Sequence, residues 1–255
     1  MDARDIEGYV QPERYDFIYS WYRDDLEFYV ERAKAAGGPV LECGCGTGRI
    51  LLPTLQTGVD IEGIDIHPGM IEVLQRKAAA LGLAPRVQVA DMRDFTLPRR
   101  FPLVTIPFRA FMHLTTTADQ LAALGRIRAH LAQGGVLVYN LWFPSFERIA
   151  SAGDELEMER EWDDPESGLP VAIYARNHYD RVRQVLKGER EVRVSDARGY
   201  VAETLRDRLT LRWTFVPEME LLLQAAGFSR WALSGGFDGA PYTTHAQEMV
   251  WTAWA

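Results

Sequence analysis

The sequence predicts an α/β fold, a doubly wound parallel sheet with a small antiparallel insertion late in the chain. Three observations predict it. Short apolar strands alternate with helical runs through residue 141; the first strand runs into a glycine-rich loop; and beyond residue 145 the apolar pattern changes from helical spacing to alternation. The 255 residues suffice for one generous α/β domain with a sizeable insertion.

Taken in order, Tyr15, Ile18, Tyr19, Tyr22, Leu26, Tyr29 and Val30 recur at helical spacing, so residues 12–36 read as helical, ending at Gly37-Gly38-Pro39. Val40-Leu41 is a short strand leading into CGCGTG, followed by a helix from Arg49 to Leu55. Residues 61–66 form a second strand, and Pro68 opens a helix to Leu81. Strands follow at 86–90 and 103–106, the latter apolar throughout as a buried parallel strand is. An amphipathic helix covers 118–131, stopped by Gly134-Gly135, and a fifth strand covers 136–141. From 145 to 213 there is no helix pattern, only alternating stretches, with Lys187-Gly188 read as a hairpin turn. A helix at 217–226 and strands near 230–233 and 248–254 close the chain. The organisation expected is an N-terminal helical cap (1–36), an α/β core (37–143 and 214–255) and an antiparallel β insertion serving as a substrate lid (144–213).

Composition narrows the partners. A formal net charge of −8 gives nucleic acid no electrostatic footprint. No apolar run approaches the roughly 20 residues of a membrane span, and MDARDIEGYVQPERYD has no apolar signal core. The expectation is a soluble, cytoplasmic protein without nucleic-acid or membrane partners, with a homodimer left open. Cys43 and Cys45 stand one residue apart, which makes a disulfide between them implausible. The five histidines are scattered, none paired at metal-ligand spacing, so no metal is expected.

VLECGCGTGR, residues 40–49, is the most informative text. Gly44, Gly46 and Gly48 suit a turn where backbone must take positive φ or admit a ligand closely. Arg49 stands where a dinucleotide fingerprint has its last glycine. Glu42 would repel a pyrophosphate but suits a ligand's ammonium. Asp65, at the end of the second strand, can accept hydrogen bonds from both hydroxyls of a ribose. Asp91, at the end of the third, can accept from an adenine amino group while Met92 and Ile66 pack on the ring. Any one of these acids alone reads equally as a solvated loop carboxylate; three at successive strand ends beside this loop do not.

These stretches resemble the class I S-adenosylmethionine-dependent methyltransferases. ECGCGTG is similar to their first motif, GIDIHPGM to their second and VADMRDF to their third. RWTFVPEMELLLQAAGF and QEMVWTAWA resemble the terminal helix and strand hairpin of the family. The resemblance implies a seven-stranded Rossmann-like sheet, S-adenosylmethionine as cofactor with S-adenosylhomocysteine as product, and cofactor contacts from Glu42, Gly44, Gly46, Asp65, Ile66, Asp91 and Met92. Cys45, Gly48, Met70 and Pro107 complete the candidate set around them. TIPFRAFMHL stands where nucleic-acid amino-methylating members carry NPPY, which argues against those enzymes and leaves the substrate open; the acceptor expected is a small molecule, methylated at nitrogen or oxygen. The insertion is similar in architecture to that of the aminosugar N-methyltransferases.

Methyl transfer to a nucleophile needs positioning, desolvation and sometimes a proton acceptor. At the rim after strand four, His113 is the candidate base because its pKa lies near neutrality, with ordering of its loop as the alternative. Arg109, Phe111, Asn140 and Trp142 are candidate acceptor contacts. Tyr15 and Tyr19 are candidates to close over the cofactor, or else one apolar helix face. Arg206, Arg208 and Arg212 read as a solvated strand face or an anion site. Two other functions fit the sequence: an NAD-dependent oxidoreductase, which leaves Glu42 and Arg49 unexplained, and a non-catalytic binder of the methyl donor.

Overall fold

The computed structural model describes residues 11–151, 153 and 155–255. In chain order its elements are α1 (Pro12–Ile18), α2 (Leu26–Ala35), β1 (Val40–Cys43), α3 (Leu51–Gln56), β2 (Ile61–Asp65), α4 (Pro68–Ala80), β3 (Arg86–Val89) and β4 (Phe101–Ile106). There follow a 3-10 turn (Ala110–His113), α5 (Thr117–His130), β5 (Leu131–Leu141), α6 (Phe146–Ala150), β6 (Glu157–Asp163), β7 (Pro170–Asp180), β8 (Val185–Ser195) and β9 (Val201–Arg212). The chain closes with α7 (Val216–Ala225), β10 (Arg230–Ser234) and β11 (Met249–Trp254).

These elements divide into two compact units. One holds Asp24–Phe143 and Trp213–Ala255; the other holds Pro144–Arg212 and the described residues up to Arg23. The first is built on a seven-stranded sheet of order β10-β11-β5-β4-β1-β2-β3, in which β11 alone runs antiparallel to its neighbours. The order reverses between β1 and β4, both parallel to each other in register Val40↔Leu103. Beyond the carboxyl ends of such a pair the connecting loops diverge to opposite faces and leave a crevice. β1 is buried at all four positions and β4 at five of six, as strands covered on both faces must be. Leu41, Ile64, Leu74, Val104 and Ile106 are among the fully buried side chains of this unit.

The second unit is a four-stranded antiparallel meander, β6-β7-β8-β9. Its two inner strands, β7 and β8, alternate buried positions with more exposed ones, so one face of the sheet is covered there. Arg190, 6% exposed, donates to both oxygens of Asp207 at 2.6 and 2.9 Å and to the Tyr19 hydroxyl at 2.7 Å.

Four expectations change. The helical stretch over 12–36 is two helices, interrupted at 19–25. Ser20, Asp24 and Asp25 suit helix ends better than interiors, and the carboxylate of Asp25, fully buried, is taken by Arg49. β5 begins at Leu131, running through Gly134-Gly135 instead of starting after them. A Cβ on Gly135 would lie 2.9 Å from the Phe101 carbonyl, so glycine lets the strand pass there. The insertion contains one short helix, α6, capped by the Ser145 hydroxyl accepting from the Arg148 amide. Lys187 and Gly188 lie inside β8, opposite His178 and Asn177; the turn is at 181–184, with Gln184 at φ 59°. Gly188 pairs with Asn177, and a Cβ there would meet the end of the Asn177 side chain, its oxygen at 2.8 Å.

Candidate functional site

At the reversal point, β1 ends in Glu42-Cys43 and turns through the glycine loop into α3. Gly44 has φ 74°, and a Cβ on it would come within 2.7 Å of the Ala110 Cβ, so the loop lies directly against the segment that follows β4. Gly46, at φ 51°, is different: a Cβ there would meet nothing, which leaves that face of the loop open. Cys45 is buried with its sulfur against Gly63, and burial raises the thiol pKa of both Cys43 and Cys45, so neither is a reactive thiolate. Gly48, at φ 84°, closes the turn against Leu52 and Leu74.

Glu42 is 2% exposed, and its Oε2 has no hydrogen-bond partner among the described residues. Burial pushes its carboxyl well above the ordinary carboxylate range; Arg49 pulls it down, and Asp25 and Asp65 push it further up. Arg49 already donates to both oxygens of Asp25 at 2.6 and 2.7 Å and lies over the Phe108 ring. Arg49 therefore serves both Asp25 and Glu42, Asp65 adds a third acid near Glu42, and the local field favours a cation.

Asp65 accepts from the amides of Gly46 and His67, both at 2.8 Å, which fixes its carboxylate beside the loop with lone pairs remaining. Burial raises its pKa, while those two amides lower it. Ile66 is half-buried next to it, and Met70 is in the core of α4, 2% exposed. Asp91 is engaged by the Arg93 side chain, which also reaches Asp119 at 2.7 Å. Burial would raise the Asp91 pKa, but the hydrogen bonds from Arg93 outweigh it and the net shift is downward. Met92 is half-buried beside it, its methyl 3.9 Å from where a Gly44 Cβ would stand.

After β4, Pro107 is buried, and Phe108 and Arg109 both take left-handed backbone, φ 52° and 66°. The Arg109 guanidinium donates to both oxygens of Glu248 at 2.9 and 2.6 Å. Asn140, fully buried, donates to the same carboxylate at 2.6 Å and accepts from the Tyr29 hydroxyl at 2.8 Å. Phe111 is fully buried against Tyr139, whereas His113 and Trp142 are half-buried. The structure thus gathers Glu42, the glycine loop and Asp65 at one rim. It turns Asn140 and Phe111 inward, and Arg109 toward Glu248. Tyr15 and Tyr19 belong to the other unit, ring against ring at 4.8 Å. In that unit Arg206 and Arg208 are solvated, while Arg212 is buried. Among the described residues no group of three or more His, Cys, Asp or Glu is arranged to hold a metal, and no helix is long and apolar enough to cross a membrane.

The Methyltransferase domain family matches residues 40–135, from β1 into β5. The dTDP-3-amino-3,6-dideoxy-alpha-D-glucopyranose N,N-dimethyltransferase of Streptomyces fradiae is 33% identical over 140 residues, 52% of this chain and 53% of that protein. The cypemycin N-terminal methyltransferase of a Streptomyces species is 24% identical over 84% of this chain and 82% of its own length. The chain thus spans about half the length of the first relative and most of the second. Among solved structures, the S-adenosylmethionine-bound amino pentose methyltransferase of Micromonospora echinaspora superimposes with a TM-score of 0.71 at 27% identity, covering 96% of this chain and 97% of that one. Residues 40–135 thus match the Methyltransferase domain family, and the fold around them is shared with a solved S-adenosylmethionine-bound methyltransferase. The methyl donor of that family fits this rim: Glu42 offers a buried acceptor without a partner, and Gly46 an open face.

Glu248, Asp25, Arg93 and Tyr29 were not singled out by the sequence. Asp25 precedes its partner Arg49 by 24 positions and Glu248 follows Arg109 by 139, so no local pattern pairs them. Only Arg93, two residues after Asp91, carried a local signal.

Proposed function

We propose that the protein transfers a methyl group from S-adenosylmethionine to an amine of a small acceptor, of the class represented by amino sugars. The observation that carries the proposal is the buried Glu42 carboxyl group, with its Oε2 unpartnered among the described residues, beside the open glycine loop. An ammonium there gives Glu42 the counter-charge that Arg49, committed to Asp25, does not fully supply. Asp65 holds the ribose hydroxyls, Ile66 and Met92 flank the adenine, and Asp91, steadied by Arg93, accepts from its amino group. The acceptor class is supported by the relatives, whose names specify an amino sugar and a peptide N-terminus as sites of methylation.

Bound donor supplies an electrophilic methyl on a sulfonium. What the chain must do is exclude water, align the amine for in-line attack and take its proton. His113, half-buried in the 3-10 turn after β4, takes the proton. Calorimetric titration with S-adenosylmethionine, S-adenosylhomocysteine and NAD tests the donor: the first two bind at micromolar levels and NAD does not. Binding of NAD alone would replace this reading with an oxidoreductase. His113→Gln lowers turnover on a dTDP-amino sugar while S-adenosylhomocysteine affinity holds; equal loss of both removes the role of base.

A further inference from the structure

We infer that Glu248 is a positioning residue, which through Arg109 fixes the turn after β4 against the cofactor loop and so sets the acceptor side of the site. The inference rests on the function proposed above. Phe108 and Arg109 are consecutive non-glycine residues in left-handed backbone, a conformation that persists only where the surroundings over-determine it. Three contacts do so. The Phe108 ring lies under the Arg49 guanidinium, 4.8 Å from its centroid. The Ala110 Cβ lies 2.7 Å from where a Gly44 Cβ would stand, so the turn packs directly on the glycine loop. Arg109 closes a two-point fork on Glu248.

Glu248 is itself held. It is the residue before β11, it accepts from Asn140 on β5, and Asn140 in turn accepts from Tyr29 on α2. The chain Tyr29–Asn140–Glu248–Arg109 ties α2, β5 and the entry to β11 to one strained turn, and that turn leads directly into Ala110–His113. A planar fork onto a carboxylate fixes direction as well as distance, which an isolated point charge does not. Since methyl transfer depends on sub-ångström alignment, a loosened turn lowers the rate more than it lowers binding.

The test is Glu248→Gln in the full chain, with Arg109→Lys read the same way should the first not fold. Three quantities are measured: S-adenosylhomocysteine affinity, hydrogen exchange of the amides of residues 108–113, and steady-state rates on a dTDP-3-amino sugar. Expected are exchange in the turn faster by about tenfold, kcat lower by about tenfold, and acceptor KM and S-adenosylhomocysteine affinity each within about twofold of the parent. Glu248→Asp, which keeps the charge, restores part of kcat. Unchanged exchange overturns the inference. So does a rise in KM at constant kcat, which would make Glu248 a direct acceptor contact. Should the parent methylate no amino sugar, the acceptor assignment fails, while exchange in the turn still decides the clamp.

Discussion

The two units handle buried charge in opposite ways. In the inserted sheet the buried guanidinium of Arg190 meets a buried carboxylate in a two-point fork, and the three acids with shifted pKa, Asp164, Asp180 and Glu191, are all lowered by hydrogen-bond donors. At the rim of the seven-stranded sheet Glu42 and Asp65 are raised, chiefly by burial, and one Glu42 oxygen is unpartnered. The first arrangement is internally complete. The second leaves a cost in the protein alone that a cationic ligand relieves. Matched charge holds a fold together, whereas mismatched burial marks where a ligand belongs.

The largest effect expected from breaking this contrast is in the insertion. Asp207→Asn leaves Arg190 buried without its counter-charge and should cost about 3–5 kcal/mol in chemical denaturation. Replacing both residues by apolar side chains of similar volume should recover most of that loss. A small loss from Asp207→Asn alone would show that water reaches the pair. The rim should behave in the reverse sense. Glu42→Gln removes a costly buried carboxylate, so the protein without ligand keeps or gains stability. Affinity for S-adenosylmethionine falls by about 1.5–3 kcal/mol, tenfold or more by calorimetry. A destabilised variant with unaltered affinity would mean that Glu42 is structural.

The same contrast explains what the sequence revealed. The parallel core was legible because its strands are buried on both faces and its glycine loop is local text: β1, β2, β4 and the acids Glu42 and Asp65 could be placed without coordinates. The insertion was legible as alternation but not in its turns. Lys187-Gly188 has the composition of a turn, yet both residues lie inside β8, paired with His178 and Asn177. The partners of Arg49, Arg109 and Asn140 were illegible because pairing across the sheet depends on which strand ends meet. Residues such as Asp25 and Glu248 look like ordinary surface acids until the fold buries them.

A smaller effect separates two glycines. On Gly63 in β2 a Cβ would come 2.5 Å from the Leu51 Cδ1 and 2.8 Å from the Cys45 sulfur. Gly63→Ala should therefore cost about 1–3 kcal/mol and weaken cofactor binding, since Cys45 belongs to the glycine loop. On Gly188 in β8 the neighbour is the end of the Asn177 side chain, which can swing aside. Gly188→Ala should stay within about 0.5 kcal/mol of the parent. Equal costs at the two positions would mean that the loop accommodates Cys45 elsewhere.

The smallest effect is a slope with pH, and its sign differs between the units. A carboxyl whose folded pKa is lowered, such as Asp164 or Glu191, stabilises the fold above its ordinary value and loses that contribution as pH falls. Glu42 does the opposite: above its ordinary value of 4.5 the folded state binds more protons than the unfolded one, so stability declines as pH rises toward its raised value. The decline is at most about 1.4 kcal/mol per pH unit for one proton. Protein without ligand should thus be most stable at mildly acidic pH, with a falling limb that Glu42→Gln flattens. A cationic methyl donor beside Glu42 should pull its pKa back down, so binding should release a proton wherever the free protein holds one there, seen as a buffer-dependent heat in calorimetry. The variant should show less of it, and an equal release from both proteins would assign that proton to another group.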